Sequence, residues 1–379
     1  MRGFEVDGNH LRLLPDGPER LAALVDLIER AERRLQLIYY IYTDGQAGRR
    51  VGRALAEAAA RGVRVTLIVD GMGSEVADGR QFFDQLSRAD IHLCRFTPRW
   101  GRRYLLRNHQ KLAIADGRRA IVGGFNVDDD YFGTLEERAW RDMGLLLEGP
   151  AVRHLSGYFE ALSRWTEQPR APMRALNRAL AQWSQPSGAV RWLLGGPTRR
   201  LSPWARAVKR DMREGRLVDI ISGYFAPNPA MLRRLDRAGQ RGQVRIVLPA
   251  RTDHQIAVEA ARFTYPGLLR KNVRVFEYQP TKLHTKLFLI DDVVYVGSAN
   301  FDIRSLFLNL EVMLRIEDQA FARAVREYVD GEVAQSEEIT LERTRARTNW
   351  WTRVKRAGAY FVMATADLKL TRRLNRPDA

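Results

Sequence analysis

The stretch 283-LHTKLFLIDDVVYVGSAN-300 contains two short apolar runs, LFLI and VVYV, separated by a pair of aspartates. Short runs rich in β-branched and aromatic residues around a polar turn are typical of a β-hairpin. Polar residues flank both runs: His284 and Lys286 precede the first, and Ser298 and Asn300 follow the second. Residues two apart on a strand point to the same face, so we expect the imidazole and the ammonium group side by side. The stretch therefore predicts a buried hairpin with a cluster of polar side chains at one end.

The same pattern occurs a second time, at 109-HQKLAIADGRRAIVGGFN-126. Both copies read H-x-K-x4-D followed by G-[G/S]-x-N, and two copies with the same trailing motif exclude a chance match. The repetition predicts an internal duplication. The matching polar positions are His109, Lys111, Asp116 and Asn126 in the first copy, and His284, Lys286, Asp291, Ser298 and Asn300 in the second.

The segments around the two motifs follow one order of elements. Strands alternate with helices, for example 51-VGRALAEAAARG-62 before 63-VRVTLIVD-70, and 229-PAMLRRLDRAGQRG-242 before 244-VRIVLPA-250. This alternation predicts an α/β fold of two pseudo-symmetric halves, each a mixed β-sheet flanked by helices, with the site at their interface. We expect a first half at residues 1–167, a linker with some helix at 168–210, a second half at 211–335 and a basic C-terminal tail at 336–379.

The 379 residues carry a net charge of +17. That charge indicates an anionic partner, which is a nucleic acid, an acidic membrane surface or a phosphorylated substrate; a solvated arginine-rich surface is the alternative. Cys94 is the only cysteine, so no intrachain disulfide can form and a reducing compartment fits. The N-terminus has no apolar signal core, and no run approaches the roughly 20 apolar residues that span a bilayer. We therefore expect a soluble or peripheral protein.

The paired motifs suit phosphoryl chemistry, because two halves related by a pseudo-twofold axis would place both imidazoles on one pocket. Lys111 and Lys286 can neutralise a phosphodiester there. One histidine would attack phosphorus to give a phosphohistidine, and the other would protonate the leaving alkoxide and then deprotonate the incoming hydroxyl. We expect no metal and no cofactor, because the lysines supply the charge and spacings such as H-E-x-x-H are absent. Asn126 and Asn300 can donate hydrogen bonds to the phosphate oxygens.

Two further carboxylates are candidates to orient the histidines, because a histidine nucleophile needs its tautomer fixed. Glu311, in 309-NLEVML-314, and Asp142, in 140-WRDMGL-145, lie in comparable late strands of the two halves. We expect both in this role; ordinary surface carboxylates are the alternative.

The duplicated motif resembles the signature of the phospholipase D superfamily. The flanking text, above all EYQP at 277–280 and NFDIRS at 300–305, narrows the resemblance to bacterial cardiolipin synthases, and it covers roughly residues 8–335. The resemblance implies two phospholipase D-like halves and a transferase of phospholipid biosynthesis. Such an enzyme passes a phosphatidyl group from one phosphatidylglycerol through a phosphohistidine to a second, which gives cardiolipin and glycerol.

The resemblance also implies roles for individual residues. By analogy His109 is the nucleophile and His284 the general acid and base. Position 124 is glycine where some superfamily members carry serine, so no hydroxyl can assist there. The chain resembles a short form without the paired N-terminal membrane spans of longer members, which leaves the phosphatidyl donor open. The implied catalytic set is His109, Lys111, Asp116, His284, Lys286 and Asp291, and the implied phosphate-binding set is Asn126, Ser298 and Asn300.

The expected partner is an anionic phospholipid, reached by peripheral contact at the cytoplasmic face of the bacterial inner membrane. Aromatic residues amid arginines and lysines in the tail are typical of an interfacial helix on anionic lipid; a plain helix packed on the domain is the alternative. The sequence does not indicate an oligomeric state. Candidates for the contact are Trp350, Trp351, Tyr360 and Phe361 in the tail and, with weaker support, Trp183, Trp192 and Trp204 in the linker.

Three other functions stay open from the sequence. A phospholipase D-type hydrolase or transphosphatidylase would use another donor, such as phosphatidylethanolamine, or another alcohol. A metal-independent nuclease would fit the positive charge, but the superfamily's nucleases are typically single short halves, so nucleic acid is not the expected partner. A non-catalytic domain that binds anionic membranes is the third alternative, but it would not explain why both motifs are intact.

Overall fold

A computed structural model of the chain describes residues 3–75, 80–97, 106–168, 171–198, 201–346 and 349–366. These residues form two α/β halves, each built on an eight-stranded mixed sheet. Apolar side chains from both faces of each sheet are buried against helices. The predicted fold class, two halves with mixed sheets flanked by helices, is confirmed.

The strands of the first sheet are β1 (Phe4–Val6), β2 (Asn9–Leu14), β3 (Arg34–Tyr39), β4 (Arg64–Asp70), β5 (Ile91–Phe96), β6 (Leu112–Ala115), β7 (Arg119–Gly123) and β8 (Gly144–Glu148). Their order in space is β1-β2-β8-β7-β6-β3-β4-β5. Strands β3, β4 and β5 run parallel, and the other neighbours pair antiparallel.

The strands of the second sheet are β9 (Val190–Gly195), β10 (Leu217–Ile221), β12 (Gln243–Pro249), β13 (Val273–Tyr278), β14 (Leu287–Ile290), β15 (Val293–Gly297), β17 (Glu311–Glu317) and β18 (Ser336–Ile339). Their order is β18-β13-β12-β10-β14-β15-β17-β9. Two short strands, β11 (Phe225–Ala226) and β16 (Phe301–Asp302), form a separate parallel pair.

Helices connect the strands in both halves. In the first half they are α1 (Gly17–Glu29), α2 (Gln46–Ala60), α3 (Gly71–Glu75), α4 (Arg80–Arg88) and α5 (Ala151–Glu167). From there on they are α6 (Met173–Gln182), α7 (Pro203–Glu214), α8 (Pro229–Arg241), α9 (Gln255–Leu269), α10 (Ile303–Phe307), α11 (Gln319–Ala334), α12 (Leu341–Ala346) and α13 (Trp350–Phe361). In the described ranges, none of the helices combines the length and the hydropathy needed to cross a bilayer.

The motif hairpins lie in the middle of the sheets, where both faces are covered. All four residues of β6 and all four of β14 are buried, as expected for strands packed on both sides. Alternate side chains enter different cores: Leu112 and Leu287 join a central core shared by the two halves, whereas Ala113 and Phe288 join the outer cores. The shared core holds the inner faces of the halves together, and it fixes the ends of the two hairpins against each other.

Two of the predicted connecting segments contribute strands to the second sheet. Part of the expected linker 168–210 is strand β9, which pairs with β17 at the edge of the second sheet and is buried along its length. The first residues of the expected tail form β18, which pairs with β13. We predicted no strand in either segment because both lie outside the two repeated motifs. The residues of β9, VRWLLG, nevertheless have the apolar, β-prone composition of a strand.

Two of the three tryptophans of the predicted linker are core residues that cannot reach a membrane. Trp192 and Trp204 are fully buried, and their indole N–H groups donate to the carbonyls of Ala151 and Ser305. Trp183 is half-buried against the ring of His154. A buried tryptophan with its N–H satisfied is a core residue, so the expectation for the first two was wrong.

Candidate active site

Each motif histidine is fixed by a backbone hydrogen bond to the other half. The N–H of His109 donates to the carbonyl of Leu310 at 3.0 Å, and the N–H of His284 donates to the carbonyl of Arg141 at 2.7 Å. Both residues lie just before their hairpin strands, β6 and β14, and each pairs with the segment that leads into a strand of the other half, β17 or β8. The two histidines therefore sit on the interface and depend on the docking of the halves.

The predicted carboxylates reach the histidines in a crossed arrangement. Glu311 of the second half accepts from Nδ1 of His109, with both carboxylate oxygens 3.1 Å away. Asp142 of the first half accepts from Nδ1 of His284 at 2.7 Å. A carboxylate on Nδ1 places the proton there and leaves the lone pair of a neutral ring on Nε2. The carboxylates favour the tautomer that a nucleophile or a base requires in both rings; at His284 the Lys286 ammonium also lies 2.8 Å from Nδ1 and competes with Asp142 for that nitrogen.

Ser298 supports Glu311 instead of facing the pocket as a phosphate ligand. Its hydroxyl donates to Glu311 Oε2 at 2.5 Å and accepts the N–H of Val312 at 3.0 Å. Ser305 adds a second hydroxyl to the same carboxylate, at 2.8 Å. The structure thus uses the Ser298 hydroxyl for the carboxylate, which differs from its predicted contact with phosphate.

The glycine at position 124 is explained by the shorter carboxylate of the first half. Gly124 occupies the place of Ser298, since the two N–H groups donate to the carbonyls of Met143 and Val312 respectively. A Cβ added at Gly124 would lie 2.4 Å from Oδ1 of Asp142. The aspartate approaches the backbone more closely than the glutamate does, and its Oδ1 accepts the N–H of Met143 at 2.7 Å. A side chain at position 124 would therefore displace the partner of His284.

The two motif lysines are buried beside the histidines. Lys111 donates to the carbonyl of His109 at 2.7 Å, and Lys286 donates to the carbonyl of His284. Burial lowers the pKa of Lys111 well below its ordinary value and lowers the pKa of Lys286 to about 8, although Asp142 and Glu311 oppose both shifts. An anion in the pocket would favour their charged forms, so the pair is suited to hold a phosphate group.

The motif asparagines hold loop backbone at the rim of the site. Asn126 is committed within the protein, because its Oδ1 accepts the N–H of Ile41 at 3.2 Å and its Nδ2 donates to the Tyr131 hydroxyl at 3.0 Å. Asn300 uses only Oδ1, which accepts the N–H of Tyr224 at 3.3 Å. Within the described part of the chain its Nδ2 has no partner, so Asn300 is better placed than Asn126 to donate to a phosphate oxygen.

Electrostatics connect the two histidine–lysine pairs in one pocket. Burial lowers the pKa of His109 to about 4, against the opposing charge of Glu311, and the charge of Lys286 also contributes. Burial and the charge of Lys286 lower the pKa of His284 to about 3, and Lys111 contributes too. Each ring thus senses the lysine of the other half. With this set of groups both imidazoles are neutral at pH 7.

The depressed histidine pKa values predict a loss of stability in mild acid. An unfolded histidine takes up its proton near pH 6.5, whereas the folded rings do so at about 4 and about 3. Between these values unfolding binds protons, so stability is complete above about pH 6.5 and falls as the pH decreases. Going from pH 7 to pH 5 should cost about 2 kcal/mol for each ring. Urea unfolding at both pH values, in wild type and in His284→Asn, checks this; equal pH differences in the two proteins would contradict it.

Aromatic rings around the histidines were not predicted from the sequence, and they make the two sides of the pocket different. The ring of Tyr40 lies 5.0 Å from His109 and the same distance from the Lys111 ammonium. His284 instead packs against Tyr131 at 5.2 Å and Trp140 at 5.4 Å. The sequence offered two weak signals for these rings: the pair Tyr39-Tyr40 at the end of a strand, and Trp140 in 140-WRD-142.

The motif aspartates lie at the far ends of the hairpin strands, away from the histidines. Asp116 follows β6 with φ +55°, and its carboxylate accepts the backbone N–H groups of residues 32, 33 and 34 at 2.8–2.9 Å. Asp291 follows β14 with φ +50°, and it accepts the N–H groups of Arg216 and Leu217. Four residues of strand separate them from the pocket, and they hold the hairpin turn against a neighbouring strand. Their catalytic role stays a prediction that rests on the resemblance, and this placement favours a structural role.

Replacing Asp116 by alanine should lower stability and leave the chemistry of the folded enzyme intact. The change removes the acceptor of three N–H groups and places alanine in the left-handed region, so we expect a loss of about 1–2 kcal/mol. Asp116→Asn keeps an acceptor oxygen and tolerates that backbone, so its loss should be smaller. Denaturant unfolding gives the free energies, and a large fall in kcat of the folded protein would return the aspartate to the catalytic set.

Comparisons with known proteins agree over most of the chain. Residues 24–163 and 213–332 match the family model described as "Cardiolipin synthase, PLD-like domain". Cardiolipin synthase A of Pseudomonas fluorescens Pf-5 is 34% identical over 346 residues, which are 89% of this chain and 71% of the relative. Cardiolipin synthase A of Pseudomonas entomophila is 33% identical, with the same shares covered, and that of Pseudomonas aeruginosa PAO1 is 32% identical over 89% and 70%.

Solved structures share the fold at low sequence identity. A phosphatidylserine synthase from Haemophilus influenzae aligns with a TM-score of 0.70 and 14% identity, and the match covers 96% of this chain and 94% of that one. A polyphosphate kinase from Porphyromonas gingivalis aligns with a TM-score of 0.56 and 14% identity, over 85% of this chain and 50% of that one. At such identities the likeness concerns the arrangement of the two halves.

Proposed function

The chain belongs to the cardiolipin synthase family of phospholipase D-type enzymes, and from this we propose that it joins two phosphatidylglycerol molecules into cardiolipin and glycerol. The observation that carries the proposal is the pocket between the halves. There, two histidines with crossed carboxylates lie beside two buried lysines. This set can bind a phosphodiester, attack its phosphorus and move a proton on either side of it.

In the first step, Nε2 of His109 attacks the phosphorus of a bound phosphatidylglycerol. The N–P bond forms and the P–O bond to the glycerol headgroup breaks. The departing alkoxide takes a proton from Nε2 of His284, and free glycerol leaves. The anionic phosphodiester favours the protonated form of His284, as an opposite charge raises a histidine pKa. Asp142 on Nδ1 then stabilises the imidazolium.

In the second step, a hydroxyl of another phosphatidylglycerol occupies the place of the departed glycerol. Nε2 of His284 accepts its proton while its oxygen attacks phosphorus, and the N–P bond to His109 breaks. Cardiolipin forms and both histidines return to their starting state. Lys111, Lys286 and the Nδ2 group of Asn300 are the groups best placed to neutralise and hold the phosphate oxygens in both steps.

The C-terminal helix supports peripheral contact with a membrane. Trp350 and Trp351 are 61% and 65% exposed, and Phe361 is 53% exposed. The opposite side of α13 packs on the domain, where Ala359 is buried and the Tyr360 hydroxyl donates to the carbonyl of Pro227. The helix is therefore packed and still presents aromatic residues outward. We place this face on the anionic inner leaflet of the bacterial cell membrane.

The test is product analysis with purified protein and phosphatidylglycerol vesicles. We expect cardiolipin and free glycerol in equal amounts, and none from a protein with both histidines replaced by alanine. Phosphatidic acid as the only lipid product would identify a hydrolase. Cardiolipin formed only when phosphatidylethanolamine is added would identify a different donor, and cleavage of DNA dependent on His109 would identify a nuclease.

A further inference from the structure

A cavity lined by arginines lies at the C-terminal half of α9, between that helix, α12 and α13. Its volume is about 380 Å³, which is in the range of small-ligand sites. Apolar and small residues of α9 and α12 complete the wall, and none of the residues around the motif histidines lines it. The five arginines are Arg262, Arg270, Arg345, Arg353 and Arg356.

Among the residues that the structure describes, two of these five arginines form ion pairs with carboxylates. Arg262 binds both oxygens of Glu277 at 2.8 and 2.9 Å, and Arg356 binds Glu259 at 3.0 Å. Arg270, Arg345 and Arg353 are exposed, and in the described ranges no carboxylate lies within salt-bridge distance of them. Three unpaired cations around one small cavity form a site for an anion. Guanidinium groups bind phosphate oxygens in a fixed, bidentate geometry, so a phosphate group is the ligand that fits.

The exposed side chains of α9 and α13, two helices that border the cavity, indicate where that phosphate comes from. Nine large apolar side chains of the described residues are strongly exposed, and seven of them lie on α9, on α13 or directly after α13. Apolar side chains next to arginines match the boundary between acyl chains and anionic headgroups in a bilayer. We therefore take the phosphate to be the headgroup of a lipid in the bilayer. The seven are Ile256, Phe263, Trp350, Trp351, Val354, Phe361 and Val362.

The cavity is separate from the catalytic pocket. Helix α9 has 15 residues and is therefore about 22 Å long. Its N-terminal end follows Asp253, which accepts from the hydroxyl of Tyr224, and the Tyr224 ring lies 6.4 Å from His284. The cavity lies toward the other end of the helix. A lipid bound in the cavity would leave the catalytic pocket free.

We propose that the arginine cavity is a second, non-catalytic site for the phosphate headgroup of an anionic phospholipid, which holds the α9–α13 face on the bilayer. The proposal rests on the membrane contact proposed above and not on the reaction. Its test therefore measures binding in a protein that cannot turn over.

The test uses the full chain with His109→Ala and vesicles of phosphatidylcholine with and without phosphatidylglycerol. The variant carries Arg270→Gln, Arg345→Gln and Arg353→Gln. Its matched control carries Arg88→Gln, Arg153→Gln and Arg164→Gln, which remove the same charge from exposed positions on α4 and α5. The attraction of three basic residues to an anionic surface corresponds together to about a hundredfold in affinity, so we expect the cavity variant to bind about a hundredfold more weakly and the control within about twofold of the parent.

Two further arms distinguish a lipid site from a free-phosphate site and from a general effect of net charge. Calorimetry with glycerophosphoglycerol, the headgroup without acyl chains, should show binding that the cavity variant loses and the control keeps. An equal loss of vesicle binding in both triple variants would overturn the proposal, because net charge alone would then account for the loss. Unchanged vesicle binding in the cavity variant, with inorganic phosphate still binding the parent at the cavity, would assign the cavity to free phosphate. Equal urea midpoints show that all the variants are folded.

Discussion

Replacing either motif histidine by alanine should lower kcat for cardiolipin formation by about 10⁴-fold or more. In the proposed reaction each ring has a task that no neighbour can take over: one forms the N–P bond and the other moves the proton. Both rings lie at the interface and carry their own carboxylate; His284 is buried, and the side chain of His109 is 12% exposed. The measurement is the rate of glycerol release from phosphatidylglycerol vesicles. His154→Ala is the matched control, since that ring bonds the carbonyl of Trp183 outside the pocket, and its rate should stay within about twofold of wild type.

The same variants identify the nucleophile. A quenched reaction with phosphorus-labelled lipid should leave label on the peptide that contains residue 109, and His109→Ala should carry none. Label on the peptide that contains residue 284 would make His284 the nucleophile and His109 the general acid and base, and the two-step reaction would still hold. Near-normal turnover in either alanine variant would reject the two-histidine reaction itself.

Removing the charge from either crossed carboxylate should lower kcat by about 10²- to 10⁴-fold. An amide in place of Asp142 or Glu311 can offer N–H to Nδ1, which favours the wrong tautomer and leaves an imidazolium without its counter-charge. The Asp142→Asn effect acts on His284, because the 2.7 Å bond joins these two side chains. The Glu311→Gln effect acts on His109. Glycerol release again gives the rates, and Asp291→Asn, at the far end of its hairpin, is the control.

Nitrogen NMR of the histidine rings at neutral pH can test directly which carboxylate pairs with which histidine, independently of any loss of activity. The ¹⁵N shifts report which ring nitrogen carries the proton. Glu311→Gln should change the shifts of His109 alone, and Asp142→Asn those of His284 alone. A change confined to the histidine of the same half would contradict the observed pairing.

The sequence predicted the architecture and the chemical class well. The duplicated motif and its flanks gave the family and the enzyme class, a cardiolipin synthase-type phosphatidyltransferase, and both predictions are confirmed. Period-two spacing placed each histidine beside its lysine, because this geometry is local to one strand. The role of either histidine stays a prediction.

The pairing of the carboxylates could not be read in the same way. Asp142 and Glu311 stand out as members of the late strands of the two halves, but nothing local tells which histidine each will meet. His109 and Glu311 are 202 residues apart, and they meet only because the halves dock through the shared core. Long-range partners of this kind depend on packing between domains, which strand and helix patterns do not encode.

The motif aspartates show how a recurring residue can be misread. Asp116 and Asp291 recur with the histidines, and that recurrence suggests catalysis. Strand geometry points the other way, since four extended residues span about 13 Å. Their positive φ and backbone partners explain the recurrence instead: the turn needs a residue that tolerates the left-handed region and accepts several N–H groups.

The backbone bonds from His109 to Leu310 and from His284 to Arg141 have a consequence for biosynthesis. A ribosome that has released only the first half has made His109 and Asp142 but neither of their partners. In the proposed reaction, catalysis requires that Glu311 has left the exit tunnel and that the later strands have folded. The growing polypeptide is therefore expected to be inert toward lipids until translation is nearly complete.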